Sequence, residues 1–543
     1  MSIYCLITSK SRRPVNLSSG KRQFQELKMK ADVLIIGSGM AGCIAALELA
    51  EKGIEVVLIG AGTTGRESNS YAAQGGIIFR GVDDSEDLLR QDILQAGCGL
   101  CNPKAVDLLI QSGLKLVKEL LIEKYGVPFD RHQDNSLKIT AEGAHSLPRV
   151  IYHKDQTGKA IMHALLETVK SSAKIFFKPN HTAVDLITLS HHSKNLTDIY
   201  APSTCVGAYV MDNAQGSIEI FFAQETILAT GGLGEVFLHS TNPREARGDG
   251  VAMAYRAGAR IMNMEYVQFH PTAFYLPFER RFLLSEALRG EGAEVLTSDF
   301  KPFMHSYHEK GALAPRDITA RAIYQEMLQS ECQHLWLDIT ARNASYLKER
   351  FATIYQYCMA KGFDMTQQPL PIVPAAHYSC GGIAVDEKSR TTIKRLRAVG
   401  EVACTGLHGA NRLASTSLLE ALVWSKHCAE DLYEVLRERR DDFPSVEEWV
   451  MSHASADIAL IQQDWTTIKQ TMWNYVGLVR DQARLSRAFK MLTELKWEIE
   501  SFYDRCKLTP ELLGLRNGVQ TALLVTQGAL RNRNSIGCHY RLN

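Results

Sequence analysis

Residues 31–60 read ADVLIIGSGMAGCIAALELAEKGIEVVLIG, and this stretch limits the fold more than any other. "DVLII" is an apolar run of strand length. "MAGCIAALELAEKG" has helical spacing with a stop at Gly53, and "IEVVLI" is a second strand. Between the first strand and the helix lie Gly37, Ser38, Gly39, Met40, Ala41 and Gly42. The first glycine suits a tight turn, the second a close approach of backbone to a pyrophosphate, and the third helix-on-strand packing. Placed between strand and helix, the pattern predicts a dinucleotide site with phosphates at the helix N-terminus. The second strand ends "LIGAGTTG", with no carboxylate where an acidic residue normally holds the adenosine ribose. Backbone groups are expected to hold it instead.

Two later segments read as returns to the same sheet: "ETILATGG" at 225–232, and "LRAVGEVACTGLHGANRLASTSLLEAL" at 396–422. A nucleotide fold that closes only near residue 430 carries an insertion, and 263–379, rich in His, Arg and Pro, is the candidate. Beyond residue 448 the apolar spacing is helical over many turns. Residues 1–30 are basic and polar and are expected to be a disordered extension, or to precede a true start at Met29. With 61 Lys+Arg against 60 Asp+Glu, the balance suggests no nucleic-acid partner. No apolar run reaches the roughly 18–20 residues of a membrane helix. The 12 cysteines show no disulfide framework, so a cytoplasmic protein with reduced thiols is expected. Cys98-Gly-Leu-Cys101 reads as a loop, His191-His192 as surface, and no metal site is expected.

Reactive side chains gather in five short stretches: "QFHPTAF" with His270, "LLSEALRGEG" with Ser285, Glu286 and Arg289, "LAPRD" with Arg316, "PAAHYSCGG" with His377, and "HGANRL" with His408 and Arg412. Singly, each has a plain structural reading: Arg289 paired with Glu291 or Glu294, Arg316 with Asp317. Together they suggest a dicarboxylate clamp. Arginine binds a carboxylate in a planar fork and stays charged, while His and Ser donate to the remaining oxygens.

From about residue 31 onward the chain resembles the succinate dehydrogenase and fumarate reductase flavoprotein family, on "LLSEALRGEGA", "LAPRD", "PIVPAAHYSCGGI" and "GEVACTGLHGANRLASTSLLEAL". "TGLHGANRLAS", "EGAHSLPRVIYHKDQTG", "MWNYVGLVR" and "LRNGVQTALL" resemble the branch that oxidises L-aspartate at the start of NAD biosynthesis by the quinolinate route. The resemblance implies an α/β fold: a Rossmann-like FAD-binding domain (31–262 and 380–447), an inserted α+β capping domain (263–379) and a C-terminal helical bundle (448–543). In the membrane-bound relatives the loop S-H-T-x-A-A-Q-G-G carries a histidine bonded to the flavin. Here the loop is "SNSYAAQGG", with Asn69 at that position, so FAD is expected to be non-covalent.

The resemblance also implies residue roles. Ser38 to Ala41 meet the pyrophosphate. Asn69, Ser70, Tyr71, Ala72, Ala73, Gln74, Gly75 and Gly76 line the flavin, and Thr182 and Ala183 the adenine end. Asp249 and Glu401 hydrogen-bond the cofactor, and Ser417 and Leu418 begin a helix at the flavin's pyrimidine edge. His270, Ser285, His377 and Arg412 hold the substrate. Arg316 moves the proton, Glu286 tunes it, and Glu142 orients aspartate. Hydride then passes from aspartate to the flavin, with O2 (giving H2O2) or fumarate as acceptor and quinolinate synthase as the expected consumer of iminoaspartate. A soluble fumarate reductase or succinate-oxidising flavoprotein is the alternative. Ser285 stands where Thr is frequent in the branch, and Thr416 where Asn is more usual.

Overall fold

A computed structural model describes residues 28–438 and 441–542. The first strand, β1 (Lys28–Ile36), leads into α1 (Met40–Glu51) and β2 (Val56–Gly60), and β1 and β2 are parallel with Val33 opposite Val56. Lys28 to Lys30 therefore belong to the sheet and not to the N-terminal extension; residues 1–27 lie outside the described residues. Further strands are β3 (Ile175–Pro179), β4 (His181–Thr188), β5 (Cys205–Asp212) and β6 (Ile218–Leu228), in the order β3-β2-β1-β6-β5-β4. Val33 to Ile36 of β1 are buried on both faces, which is why this end reads as a continuous apolar run. Val33 and Ile35 enter one core, with α1 and the helices 103–116 and 157–171. Leu34 and Ile36 enter the other, beneath the C-terminal helices. The alternation is the two-residue period of a strand.

The segment that interrupts this domain forms its own antiparallel sheet. Its strands are β7 (Val267–Phe274), β8 (Phe282–Leu283), β9 (Glu294–Leu296), β10 (Leu335–Asp338) and β11 (Leu370–Ser379), in the order β8-β7-β11-β10-β9. It has a separate apolar core around Phe274, Leu335 and Phe351. The chain then returns: β12 (Leu396–Ala398) pairs in parallel with the C-terminal end of β6. A long helix follows at Ser417–Glu438. The last 80 or so residues hold helices Ile458–Val476, Gln482–Arg505 and Pro510–Arg531. Leu485, Leu512 and Val525 join the core under β4–β6, so this bundle is continuous with the sheet it covers. No described helix is long and apolar enough to cross a membrane.

Candidate active site

The carboxyl ends of β1, β2 and β6 open on a cleft of about 1810 Å³, solvent mouth included, walled on its other side by the cap. This is where an open α/β sheet places its ligand. Gly37 has φ +117°, and a Cβ there would lie 2.2 Å from the Ala229 carbonyl oxygen; a Cβ on Gly42 would lie 1.9 Å from that of Gly37. Only glycine allows β1, α1 and β6 to close this tightly. The Met40 N–H donates to Ser70 Oγ at 3.2 Å, tying the glycine turn to the loop 68–76.

Of the residues given roles by the glycine turn or by the resemblance, all but two line this one cleft. The exceptions are Gly42, which is used in helix packing, and Tyr71, whose ring rests on the core beside α1. The end of β2 holds one group that the sequence reading did not place there. Glu67 lines the cleft beside the end of β2, and its carboxylate accepts from Thr64 N–H at 3.2 Å and Thr64 Oγ1 at 2.9 Å. An acidic side chain thus reaches the strand end from the following loop. Its signal was the Glu directly ahead of "SNSYAAQGG", outside the strand end where such a residue is sought.

Elsewhere in the cleft, Asn69 Nδ2 donates to Glu401 Oε2 at 3.0 Å and Ser379 N–H to Glu401 Oε1 at 3.1 Å. Burial pushes the Glu401 carboxyl up to about 7. The Asp249 carboxylate accepts from Arg247 and Asn517. Gln74 Oε1, Thr230 Oγ1 and Arg412 Nε are buried cleft atoms with no partner in the protein. Buried polar groups are normally satisfied, so these orphans, above a glycine-turned helix N-terminus, fit a bound dinucleotide with a polar ring edge.

The cap supplies the rest. β7 carries Gln268 and His270; β11 carries His377 and Tyr378. Ser285 caps the short α2 (Glu286–Gly290), its Oγ accepting from Ala287 N–H at 3.3 Å, and Arg316 begins α3 (Arg316–Gln329). The His270 and His377 rings lie 5.2 Å apart. His270 Nδ1 lies 3.2 Å from both the N–H and the carbonyl oxygen of Thr272. Burial and the nearby arginines hold both imidazoles well below their ordinary value, so both are neutral.

Glu286 sits between two arginines: Arg316 Nε lies 2.5 Å from Oε2 and Arg289 Nη2 3.1 Å from Oε1. Despite burial, these cations bring it down to about 2. Arg289 thus pairs with Glu286, three residues back on the same helical turn, and with neither Glu291 nor Glu294. Asp317 pairs with Arg321 at 2.8 Å, leaving Arg316 to the site. Arg316 Nη1 also donates to Gln268 Oε1 at 3.1 Å. Glu142 accepts from Ser415 Oγ at 2.6 Å, and burial together with the Glu286 anion raises its carboxyl. A Cβ on Gly143 would lie 2.1 Å from Glu286 Oε1, so the glycine lets the Glu142 loop approach the cap.

Arg412 is 4% exposed and donates to Ser417 Oγ at 3.3 Å, where α4 (Ser417–Glu438) begins. His408 does not line the cleft; it lies behind Tyr378, its Nε2 2.9 Å from Glu420 Oε2. Tyr378, Gln268, Ser415 and Thr241, whose Oγ1 lies 2.9 Å from His377 Nδ1, had no assigned part. Their signal was only adjacency to His377, His270 and Thr416 or, for Thr241, none.

Comparison with known proteins agrees with this geometry. Residues 32–418 match the FAD binding domain model and 465–543 the fumarate reductase flavoprotein C-terminal model. The chain is 40% identical to the L-aspartate oxidase of Acinetobacter baylyi, over 94% of this chain and 93% of that one. It is 36% identical to the chloroplastic L-aspartate oxidase of Arabidopsis thaliana, over 98% and 83%. Among solved structures, E. coli quinol fumarate reductase superposes with a TM-score of 0.85 at 25% identity, covering 95% of this chain and 92% of that one. Two domain models spanning the cleft and the helical end, and full-length relatives of one name, establish that the chain belongs to the L-aspartate oxidase family of FAD-binding flavoproteins.

Proposed function

We propose that this chain oxidises L-aspartate to iminoaspartate, the first step of NAD biosynthesis by the quinolinate route. The observation that carries it is the meeting of two kinds of group at one end of the FAD cleft. Arg412, His270, His377 and Ser285 suit two carboxylates, and Glu142 and Glu286 suit an amine. Bound FAD would supply the hydride acceptor, with O2, giving H2O2, or fumarate as the final electron acceptor. It is held non-covalently, since Asn69 offers no imidazole to bond it. Ser38 to Ala41 suit the pyrophosphate, Thr182 and Ala183 the adenine end, Glu67 the adenosine ribose, and Asp249, Glu401 and the loop 69–76 the remainder.

The clamp fixes the substrate so that its α-carbon C–H is presented in one orientation; such positioning contributes roughly 7–11 kcal/mol. Arg412 forks one carboxylate, and the His270 imidazole, in its Nε2–H tautomer, donates to a carboxylate oxygen. Glu142, raised by burial, is suited to receive a proton from the substrate ammonium. Arg316, oriented by Glu286 and Gln268, is suited to relay a proton at the substrate. The 11 cysteines among the described residues are unpaired, which supports a reducing, cytoplasmic compartment. Iminoaspartate is a reactive imine, so quinolinate synthase, which consumes it, is the expected partner.

The test is anaerobic. The yellow protein is mixed with L-aspartate or with succinate, and its visible absorbance is followed. Bleaching by aspartate, reversed by air or fumarate, is expected. Bleaching by succinate with aspartate inert would assign the chain to the succinate-oxidising side and refute the amine role of Glu142.

A further inference from the structure

Arg316 and Arg289 share the Glu286 carboxylate, but no described carboxylate forms an ion pair with Arg412. It is buried, its Nε has no partner, and burial and Arg316 lower its proton affinity. A cation so placed needs support. Besides the Nη1 bond to Ser417 Oγ at 3.3 Å and the charge of the more distant Glu401, the support present is a ring: the Arg412 Cζ lies 4.5 Å from the centroid of Tyr378. Tyr378 is itself fixed from behind. Its hydroxyl donates to Glu420 Oε2 at 2.8 Å and lies 3.1 Å from His408 Nε2. Glu420 in turn accepts from Thr405 Oγ1 at 2.6 Å and pairs with His408 at 2.9 Å. All four of these residues are buried.

We propose that Tyr378, anchored by Glu420 and His408, is the positioning residue for the Arg412 fork, stabilising its charge through the ring face so that its N–H groups stay available for a substrate carboxylate. A carboxylate partner would stabilise the cation equally well but would occupy the donors that the substrate needs. An aromatic face attracts a guanidinium without using any donor. Donation of the phenol proton to an anion adds electron density to that face. Tyr378 acts on binding: it sets the affinity for a dicarboxylate and leaves the transfer step to other groups.

The inference rests on the dicarboxylate reading above, and the experiment separates the two. Holoenzyme carrying Tyr378→Leu or Tyr378→Phe is compared with wild type for KM and kcat on aspartate, succinate Kd from the flavin spectral change, and FAD content. Tyr378→Leu is expected to raise KM and succinate Kd about tenfold or more, with kcat within about threefold and FAD content unchanged. Tyr378→Phe keeps the face and should stay within about threefold on every parameter. Wild-type affinity in the Leu variant, an equal defect in Phe and Leu, or a loss confined to kcat would overturn the proposal. If the Leu variant does not retain FAD, Tyr378→Met takes its place and the Phe variant decides by the same threefold limit. A wild-type protein that neither oxidises aspartate nor binds succinate overturns the functional reading instead.

Discussion

Replacing Glu286 by Gln removes the one anion that two buried arginines share. The size of the effect follows from the site in two ways. The arginines bring the Glu286 carboxyl from an ordinary 4.5 to about 2; at about 1.4 kcal/mol per tenfold change in proton affinity, this corresponds to roughly 3 kcal/mol of stability at neutral pH. Independently, breaking a buried pair by removing one partner costs about 3–5 kcal/mol, because the remaining charge is stranded. Here Arg289 would keep one bond, to the Ala312 carbonyl at 2.7 Å, and Arg316 its bond to Gln268. The glutamine amide oxygen can still accept one bond, so a loss near 3 kcal/mol is expected. The pH dependence has a definite sign. A depressed carboxylate stabilises the fold fully above its unfolded value near 4.5, and the contribution disappears as pH falls towards 2. Urea denaturation of both proteins, followed by tryptophan fluorescence at pH 7, 5 and 3, measures the gap. It should be near 3 kcal/mol at pH 7, similar at pH 5, and clearly smaller at pH 3. A gap below about 1 kcal/mol at pH 7, or one unchanged at pH 3, would refute the reasoning.

Three further outcomes are expected. Arg412→Leu leaves a substrate carboxylate without its fork in a largely dry site, costing roughly 2–5 kcal/mol, or about thirtyfold to several-thousandfold in kcat/KM for aspartate; near-native turnover would disprove the clamp. Glu67→Ala should weaken FAD binding about fivefold to thirtyfold, the worth of one or two hydrogen bonds, when FAD-free protein is titrated, while the FAD-saturated enzyme keeps its KM; an unchanged Kd would remove Glu67 from the ribose site. Folded FAD-free protein holds a proton on Glu401 that the unfolded chain releases between pH 4.5 and about 7, so this group makes stability fall as pH rises through that window. Glu401→Gln should flatten the dependence of the urea midpoint on pH there, and identical slopes in variant and wild type would exclude the effect.

The local signals in this chain were strong where neighbouring residues act on one another. The order strand, glycine turn and helix over 31–60 was legible because backbone sterics at Gly37 and Gly42 leave few alternatives. The helical end was legible from spacing alone. The residues read as a clamp, His270, Ser285, His377 and Arg412, meet in one cleft. The extent of β1 was less legible: Lys28 to Lys30 look like a polar tail, yet they pair with Ile220 to Phe222 of β6. That pairing depends on a strand nearly two hundred residues away, which leaves no mark beside Lys28.

What the sequence determined by itself was the set of groups and the local turns that present them, since propensity, glycine sterics and residue chemistry act over a few positions. Only the tertiary structure decided which groups meet. Arg289 had Glu291 and Glu294 close in sequence, but burial of the first helical turn of α2 gave it Glu286 and the company of Arg316. His408, adjacent to the glycine loop, went behind Tyr378, while Glu67 came round to the end of β2. Buried charges take whichever counter-charge or ring the packed elements bring within reach, because an unpaired charge away from water is too costly to keep. That choice is made between elements remote in sequence, and so it appears only once they are folded together.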